Sequence, residues 1–222
     1  MFTIALISQK GNQGKSVIAL SVAVVAAKVG LAVVIIDVDP QATAANWKDR
    51  READSPVVVT VPVSRLRQAL DAADASGADW VIIDSPGMNQ SGAIDCARAG
   101  DLVLVPTSAD PIVMETLPTV RNLVRAAGDP PAFVVFNFIH PQGNRIADAL
   151  KANTPAYCGL PACPVHLSQR NVYKDAPAYG KAPQELEPDS PATAEIERLY
   201  MFICEHVNTS PRSLDHGSSA KA

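Results

Sequence analysis

The chain opens on an apolar run, Phe2-Thr3-Ile4-Ala5-Leu6-Ile7. The small and polar stretch Ser8-Gln9-Lys10-Gly11-Asn12-Gln13-Gly14-Lys15-Ser16 follows, and then the Ala/Val-rich Val17 to Lys28. That order predicts a strand, a glycine-bearing loop and a helix start. Leu31 to Ile36, Val81 to Ile83, Leu102 to Val105 and Ala132 to Phe136 are again continuously apolar, the pattern of parallel strands with both faces covered. Between these runs the pattern predicts helices over Gln41 to Arg51, Ser64 to Ala75 and Pro118 to Ala126, with a short strand at Val57 to Thr60. In the second of these helices Leu66, Ala69, Leu70 and Ala73 form an apolar stripe. Ser190-Pro191 predicts the start of a last helix by its capping and first-turn preferences, with Ile196, Leu199, Tyr200, Ile203 and Val207 on one face. Strands alternating with helices imply an α/β fold, a single doubly wound, mostly parallel sheet with helices on both faces. Residues 208–222 are polar and aperiodic, so the expected domain is 1–207, followed by a disordered tail.

Composition narrows the function classes. With 222 residues, 47% of them hydrophobic and 19% charged, the chain is long enough for one α/β core. Its formal net charge of −4 excludes global basicity, so any nucleic-acid contact must come from a local patch. No apolar run approaches the ~18–20 residues of a membrane span, and the first residues carry no secretory pattern, which together predict a cytoplasmic protein without a membrane partner. The four cysteines, Cys96, Cys158, Cys163 and Cys204, contain no C-x-x-C pair and are expected to be reduced, partly buried thiols.

Several strand ends carry candidate chemistry. A loop between strand and helix offers a nest of N–H groups and a positive helix end, which suits a polyphosphate. There Lys15 would reach the phosphates and Ser16 would ligate Mg²⁺. Gln9 stands where the general phosphate-loop pattern has its first glycine, and a Gly/Asn turn with a solvated lysine is the competing reading. Asp37 and Asp39 follow the second strand at a spacing of two, so both can face one metal–phosphate site. Alternatively, Asp39 before Pro40 caps a helix. Asp84, closing Asp79-Trp80-Val81-Ile82-Ile83-Asp84-Ser85-Pro86-Gly87, has the form of a Walker B acid, or of a plain turn former. Asn137 at another strand end reads a base edge or caps a turn. Arg170 and Lys174 would share a helix face if that stretch is helical, with Lys181 nearby. That cluster is a DNA-phosphate patch or simply a solvated face.

Taken together, these loops resemble the deviant Walker A P-loop ATPases of the ParA/MinD group, whose K-G-G-x-G-K-[ST] pattern reads here as Lys10-Gly11-Asn12-Gln13-Gly14-Lys15-Ser16. Asp37-Val38-Asp39-Pro40-Gln41 is similar to the D-x-D-P-Q segment of the ParA type, and Gln169-Arg170-Asn171-Val172 through Asp175-Ala176-Pro177-Ala178-Tyr179-Gly180-Lys181 to its R-N-V-x-x-x-E/D-A-P-S-x-G-K-P segment. The resemblance implies a P-loop NTPase fold and a Mg²⁺-dependent ATPase that turns ATP into ADP. It further implies a homodimer in the ATP state, in which Lys10 crosses to the partner's nucleotide. The loop from Lys10 through Gly11, Asn12, Gln13, Gly14, Lys15 and Ser16 to Val17 would hold the nucleotide, with Asn137 near the adenine. Lys10, Lys15 and Asp39 would be catalytic, Asp39 orienting the attacking water. Ser16 and Asp84 would place Mg²⁺, and Asp37 would support its water shell.

Dimerisation would bring two copies of Arg170, Lys174 and Lys181 together for ATP-gated, non-specific DNA binding. The implied role is to position or segregate a cargo over the nucleoid, with a partner protein stimulating hydrolysis. Competing expectations within the superfamily are an ATP-dependent ligase or amidotransferase and a MinD-like membrane-cycling regulator. The chain has no room for the former's glutaminase domain, and its tail is a poor anchor for the latter. One departure stands out: Asn12 replaces the loop's second glycine. Asparagine tolerates a left-handed backbone, but its side chain would crowd the dimer seam or bond the γ-phosphate.

Overall fold

The computed structural model describes residues 1–87 and 90–207; the tail expected over 208–222 lies outside them. Six strands, β1 (Phe2–Leu6), β2 (Val33–Asp37), β3 (Val57–Thr60), β4 (Trp80–Asp84), β5 (Leu102–Ser108) and β6 (Ala132–Asn137), form one sheet in the order β3-β2-β4-β1-β5-β6. Every neighbouring pair is parallel, so each connection must cross over the sheet. The helices are α1 (Lys15–Lys28), α2 (Thr43–Asp49), α3 (Leu66–Ala75), α4 (Gln90–Ala99), α5 (Pro111–Met114), α6 (Leu117–Ala126), α7 (Asn144–Cys158), α8 (Val172–Asp175), α9 (Pro183–Leu186) and α10 (Pro191–His206).

Strand alternation explains the layering. Ile4, Leu6, Val33, Ile35, Ile82 and Leu104 point into one apolar cluster with α1, α2 and α10. Their neighbours Ala5, Ile7, Val34, Ile36, Ile83 and Val103 point into a second cluster with α3, α4, α6 and α7. Successive side chains on a strand face opposite ways, so a continuous apolar run feeds two cores at once. The sequence expectation of an α/β sheet covered on both faces is thus borne out.

Element boundaries differ where side chains or backbone at the ends intervene. The first helix begins at Lys15, directly after Gly14, whose φ of 87° makes it a left-handed N-cap. α2 is shorter than expected because Asp37, Asp39 and Ala42, the last at φ 51°, spend the preceding residues on turns. Helices α4 and α7 carry no strong apolar stripe in sequence: their buried positions are Gly92, Ala93, Cys96 and Ala97 in one, and Ala147, Thr154 and Cys158 in the other. The last helix starts as predicted, the Ser190 hydroxyl accepting from the Thr193 N–H at 3.3 Å, and all five residues of its predicted stripe are buried. Its Tyr200 ring packs 5.5 Å from that of Trp80 on β4. All four cysteines are free and buried, and burial pushes the Cys96 and Cys163 thiols up to about 12.

Candidate functional site

The loop between β1 and α1 lies at the carboxyl ends of the strands, where open parallel sheets place their ligands. Two of its residues, Asn12 at φ 60° and Gly14 at φ 87°, adopt left-handed backbone, which turns successive N–H groups inward as an anion nest. Gln13 between them is the staple. Its side-chain amide donates to the Gly11 carbonyl at 3.2 Å and accepts from the Ser108 N–H at 3.0 Å, while its own carbonyl accepts from Asn137 Nδ2 at 3.1 Å. Ser108 and Asn137 are register partners on β5 and β6, so one loop residue fastens to two strand ends. The Asn137 oxygen is taken by the Phe138 N–H at 2.8 Å. Asn137 therefore borders the cleft as the fastener of the loop and of its own turn, with its carbonyl committed to backbone rather than to a base edge. A Cβ at position 14 would stand 2.1 Å from Asn137 Nδ2, which demands glycine there.

Lys15 is only 6% exposed. Its ammonium donates to Ser8 Oγ at 3.0 Å, and that hydroxyl donates to the Lys10 carbonyl at 2.7 Å, linking the two lysines of the motif. Burial lowers the Lys15 pKa, opposed by the charges of Asp84 and Asp39. Gly87 completes the floor: a Cβ there would approach Gly11 Cα to 3.1 Å and Lys15 Nζ to 3.3 Å.

The three aspartates have different fates. Asp84 is fully buried, and neither of its oxygens accepts a well-formed hydrogen bond. Burial pushes it up to about 7, with the nearby Ser16 hydroxyl pulling it down, Asp37 raising it and Lys15 lowering it. Asp37, equally buried, accepts from the N–H groups of Asp39 at 3.0 Å, Ala44 at 2.9 Å and Ala45 at 3.4 Å, and so caps α2. Its burial still raises its pKa. Asp39 accepts from the Gln41 N–H at 2.9 Å in a turn of its own, and the helix begins only at Thr43.

Two orphaned oxygens of a buried carboxylate beside a serine hydroxyl are hard ligands suited to a hard cation. Among the described residues no group of three or more His, Cys, Asp or Glu could hold a metal unaided. That donor set fits Mg²⁺, which keeps water and substrate phosphates in its coordination shell.

A cleft of about 650 Å³ is lined by residues 11–17, by Asp39, and by the apolar Phe138, Leu167, Tyr173 and Pro177. None of these four is named as a site residue from the sequence, although Tyr173 and Pro177 lie within the family-like segment. The expected helix face carrying Arg170 and Lys174 does not form, because α8 begins only at Val172. Both residues instead border the cleft. Arg170 Nη2 and Nε bond Glu195 at 2.8 and 3.2 Å. Lys181 is separate, bordering a second hollow with Arg50 and Tyr179, its carbonyl accepting from Trp47 Nε1 at 2.9 Å. Lys10 is half-exposed and makes no ion pair with a described residue.

Known proteins share this fold. The family model described as the CobQ/CobB/MinD/ParA nucleotide binding domain matches residues 4–183. The chromosome-partitioning ATPase Soj of Thermus thermophilus is 24% identical over 231 residues, covering 88% of this chain and 92% of that protein. Among solved structures, the MinC:MinD cell division protein complex of Aquifex aeolicus superposes with a TM-score of 0.75 at 16% identity, over 95% of this chain and 98% of that one. A putative plasmid partition protein from Borrelia burgdorferi, bound to AMPPNP, does so with a TM-score of 0.71 at 15% identity, over 93% and 99%.

Proposed function

This chain belongs to the CobQ/CobB/MinD/ParA family of nucleotide-binding domains, and from that premise we propose that it is a ParA-type ATPase. It hydrolyses ATP to ADP and phosphate as an ATP-sandwich homodimer, binds DNA without sequence preference in that state, and positions or segregates a cargo over the nucleoid in the cytoplasm. A cargo-linked partner protein stimulates the hydrolysis. The likeness to a chromosome-partitioning ATPase supports this direction over a metabolic one.

The observation that carries the reading is that a buried Lys15 and a buried, unsatisfied Asp84 lie near enough for each charge to act on the other. Each is costly alone and each is completed by a nucleotide and its metal. In this reading the N–H groups of residues 11–17 and the Lys15 ammonium hold the phosphates. Ser16 and Asp84 hold Mg²⁺, which neutralises phosphate charge when bound. Asp37 keeps the Asp39 segment in place beside them through the Asp39 N–H, and supports the metal's water shell from that position. Asp39 orients the attacking water, and Lys10 compensates charge on the opposite subunit's phosphates. For DNA, the exposed Lys174 and Lys181 are the cations free to meet phosphates, and doubling them in a dimer raises their effective concentration.

The test is solution mass with ADP and with ATP, wild type beside Asp39→Ala, followed by DNA retardation across a salt series. An ATP-specific doubling, prolonged by the substitution, and a DNA shift that weakens in Lys174→Glu/Lys181→Glu are expected. A mass unchanged by any nucleotide would remove the sandwich from the proposal.

A further inference from the structure

Arg170 sits in a sequence segment that invites a DNA role, yet its surroundings point elsewhere. Its partner Glu195, on α10, is only 4% exposed. That carboxylate also accepts from the Ser168 N–H at 3.0 Å, the Ser168 hydroxyl at 2.7 Å and the Tyr173 hydroxyl at 2.9 Å. Burial alone would raise its pKa, but the bonds from Arg170 and Ser168 bring it below the ordinary glutamate value, so it is ionised and the pair is charged on both sides. A guanidinium whose charge is met by a buried carboxylate adds little to the attraction of DNA phosphates.

The same bonds fix the guanidinium plane. Nε and Nη2 are committed to Glu195, while Nη1 bonds to no described residue. Arg170, Leu167 and Tyr173 line the same cleft as the phosphate loop, and Phe138 lies with them, 3.6 Å from where a Cβ on Gly14 would stand. A nucleotide whose phosphates occupy the loop has its nucleoside in the rest of this cleft, where Phe138, Leu167 and Tyr173 supply the apolar surface that a base needs. There an immobilised, charge-neutralised guanidinium offers a flat face for stacking on a base and spare N–H groups for base or ribose acceptors.

We infer that Arg170 contacts the nucleoside of the bound nucleotide, and that Glu195 is the positioning residue that holds it there. The inference rests on the nucleotide reading above and adds to it the residue that grips the nucleoside. It also ties the C-terminal helix directly to the occupant of the cleft.

The experiment titrates Mg-ADP and Mg-tripolyphosphate, which lacks a nucleoside, into wild type, Arg170→Ala, Arg170→Lys, Glu195→Gln and the double variant Arg170→Ala/Glu195→Gln, with circular dichroism as the folding check. Arg170→Ala is expected to weaken ADP about tenfold, the scale of one charge-assisted contact, and to leave tripolyphosphate affinity and the salt slope of DNA retention unchanged. Arg170→Lys does not restore it, since a point charge lacks the planar fork. Glu195→Gln weakens ADP in the wild-type background but has no further effect once Arg170 is alanine, which a merely structural glutamate would not obey. Unchanged ADP affinity in Arg170→Ala overturns the inference, as does an equal loss of tripolyphosphate or a flatter DNA salt slope. Should wild type bind neither ADP nor tripolyphosphate, the nucleotide reading itself fails. Should Glu195→Gln not fold, the Arg170→Ala comparison still decides.

Discussion

Asp37 and Asp84 are register partners at the ends of adjacent parallel strands, yet the Asp37 carboxylate accepts three backbone N–H groups and the Asp84 carboxylate accepts none. The difference lies in the turn that leaves each strand. After Asp37 the chain turns back and begins α2, whose unpaired N-terminal N–H groups need an acceptor. After Asp84 it runs through Ser85, whose hydroxyl is spent on the Leu6 carbonyl at 2.6 Å, to Gly87 against the phosphate loop. The turns that leave the two strands have therefore made one aspartate a cap and left its neighbour without a backbone donor.

This asymmetry has a pH signature in the nucleotide-free protein. Asp84 titrates at about 7 when folded, against 3.8 when free. Between those values the folded chain holds a proton that the unfolded chain has released, so stability falls as pH rises through that window and levels above about 7. Asp37 is raised too and acts in the same sense, whereas His166, lowered by burial, acts against it. Asp84→Asn isolates the difference: urea midpoints at pH 5.5 and pH 8 should lie closer together than in wild type, with a gain at pH 8 on the order of 1–3 kcal/mol. The variant should also lose the stabilisation that Mg-ADP gives wild type. An identical pH profile in both proteins would show that Asp84 is not the titrating group.

Gly14 and Asn137 form a second dependent pair. Gly14→Ala forces a side chain into left-handed backbone and against the Asn137 amide, and should cost roughly 2–4 kcal/mol and abolish nucleotide binding. Asn137→Ala removes the bond to the Gln13 carbonyl and should cost about 1–2 kcal/mol with a several-fold loss of ADP affinity. Because the clash partner is gone, Gly14→Ala/Asn137→Ala should lose less than the sum of the two. Simple additivity in thermal or urea unfolding would mean that the two side chains do not meet.

Much of this architecture was legible in the chain because apolar runs of strand length between glycine and proline punctuation have few alternatives. Ile4 to Ile7 and Val81 to Ile83 feed both cores and could be read without a structure. Asp37 and Asp84, closing β2 and β4, were visible as candidates, but not as a cap and an orphan, since the sequence does not tell which turn supplies N–H groups. Helix α7 escaped notice because its buried face is Ala147, Thr154 and Cys158 rather than leucines. Arg170 was legible as a cation and not as a paired one: its partner lies 25 positions away on α10, and nothing local marks Glu195 as buried. Likewise Gln13 was expected only among the loop residues around the nucleotide, whereas its bonds to Gly11, Ser108 and Asn137 make it the staple.

Lys10 offers a sharp separation of binding from chemistry. Its backbone carbonyl is held by Ser8, while its side chain is half-exposed and without an ion-pair partner among the described residues. Lys10→Ala should therefore leave folding and ADP affinity within about twofold of wild type, because a surface truncation away from packed groups changes little. ATP turnover at saturating protein concentration should fall by ~10³ or more, the order expected when a charge-compensating group is withdrawn from phosphoryl transfer. Dilution should separate this from a weakened dimer: wild-type turnover per chain falls on dilution, whereas the variant's stays low at every concentration. Normal turnover in Lys10→Ala would assign the charge compensation to another residue.

Asn12 sets the last test, since it occupies the position at which the family pattern has glycine. It adopts φ 60°, is exposed at the cleft, and its side chain makes no hydrogen bond with a described residue, so nothing within the subunit needs the amide. Asn12→Gly should be nearly neutral for stability, and Asn12→Ala should cost about 1 kcal/mol because alanine resists left-handed backbone. If the side chain acts by crowding a second copy, Asn12→Gly tightens ATP-dependent dimerisation severalfold and raises turnover, with monomer affinity for ATP and ADP unchanged. If it instead bonds the γ-phosphate, the same substitution weakens ATP while sparing ADP. An exposed amide with no partner among the described residues, on a loop proposed to hold phosphate through its backbone N–H groups, favours the first. Dimer dissociation constants measured by sedimentation in a non-hydrolysable ATP analogue, beside nucleotide affinities of the monomer, decide between the two.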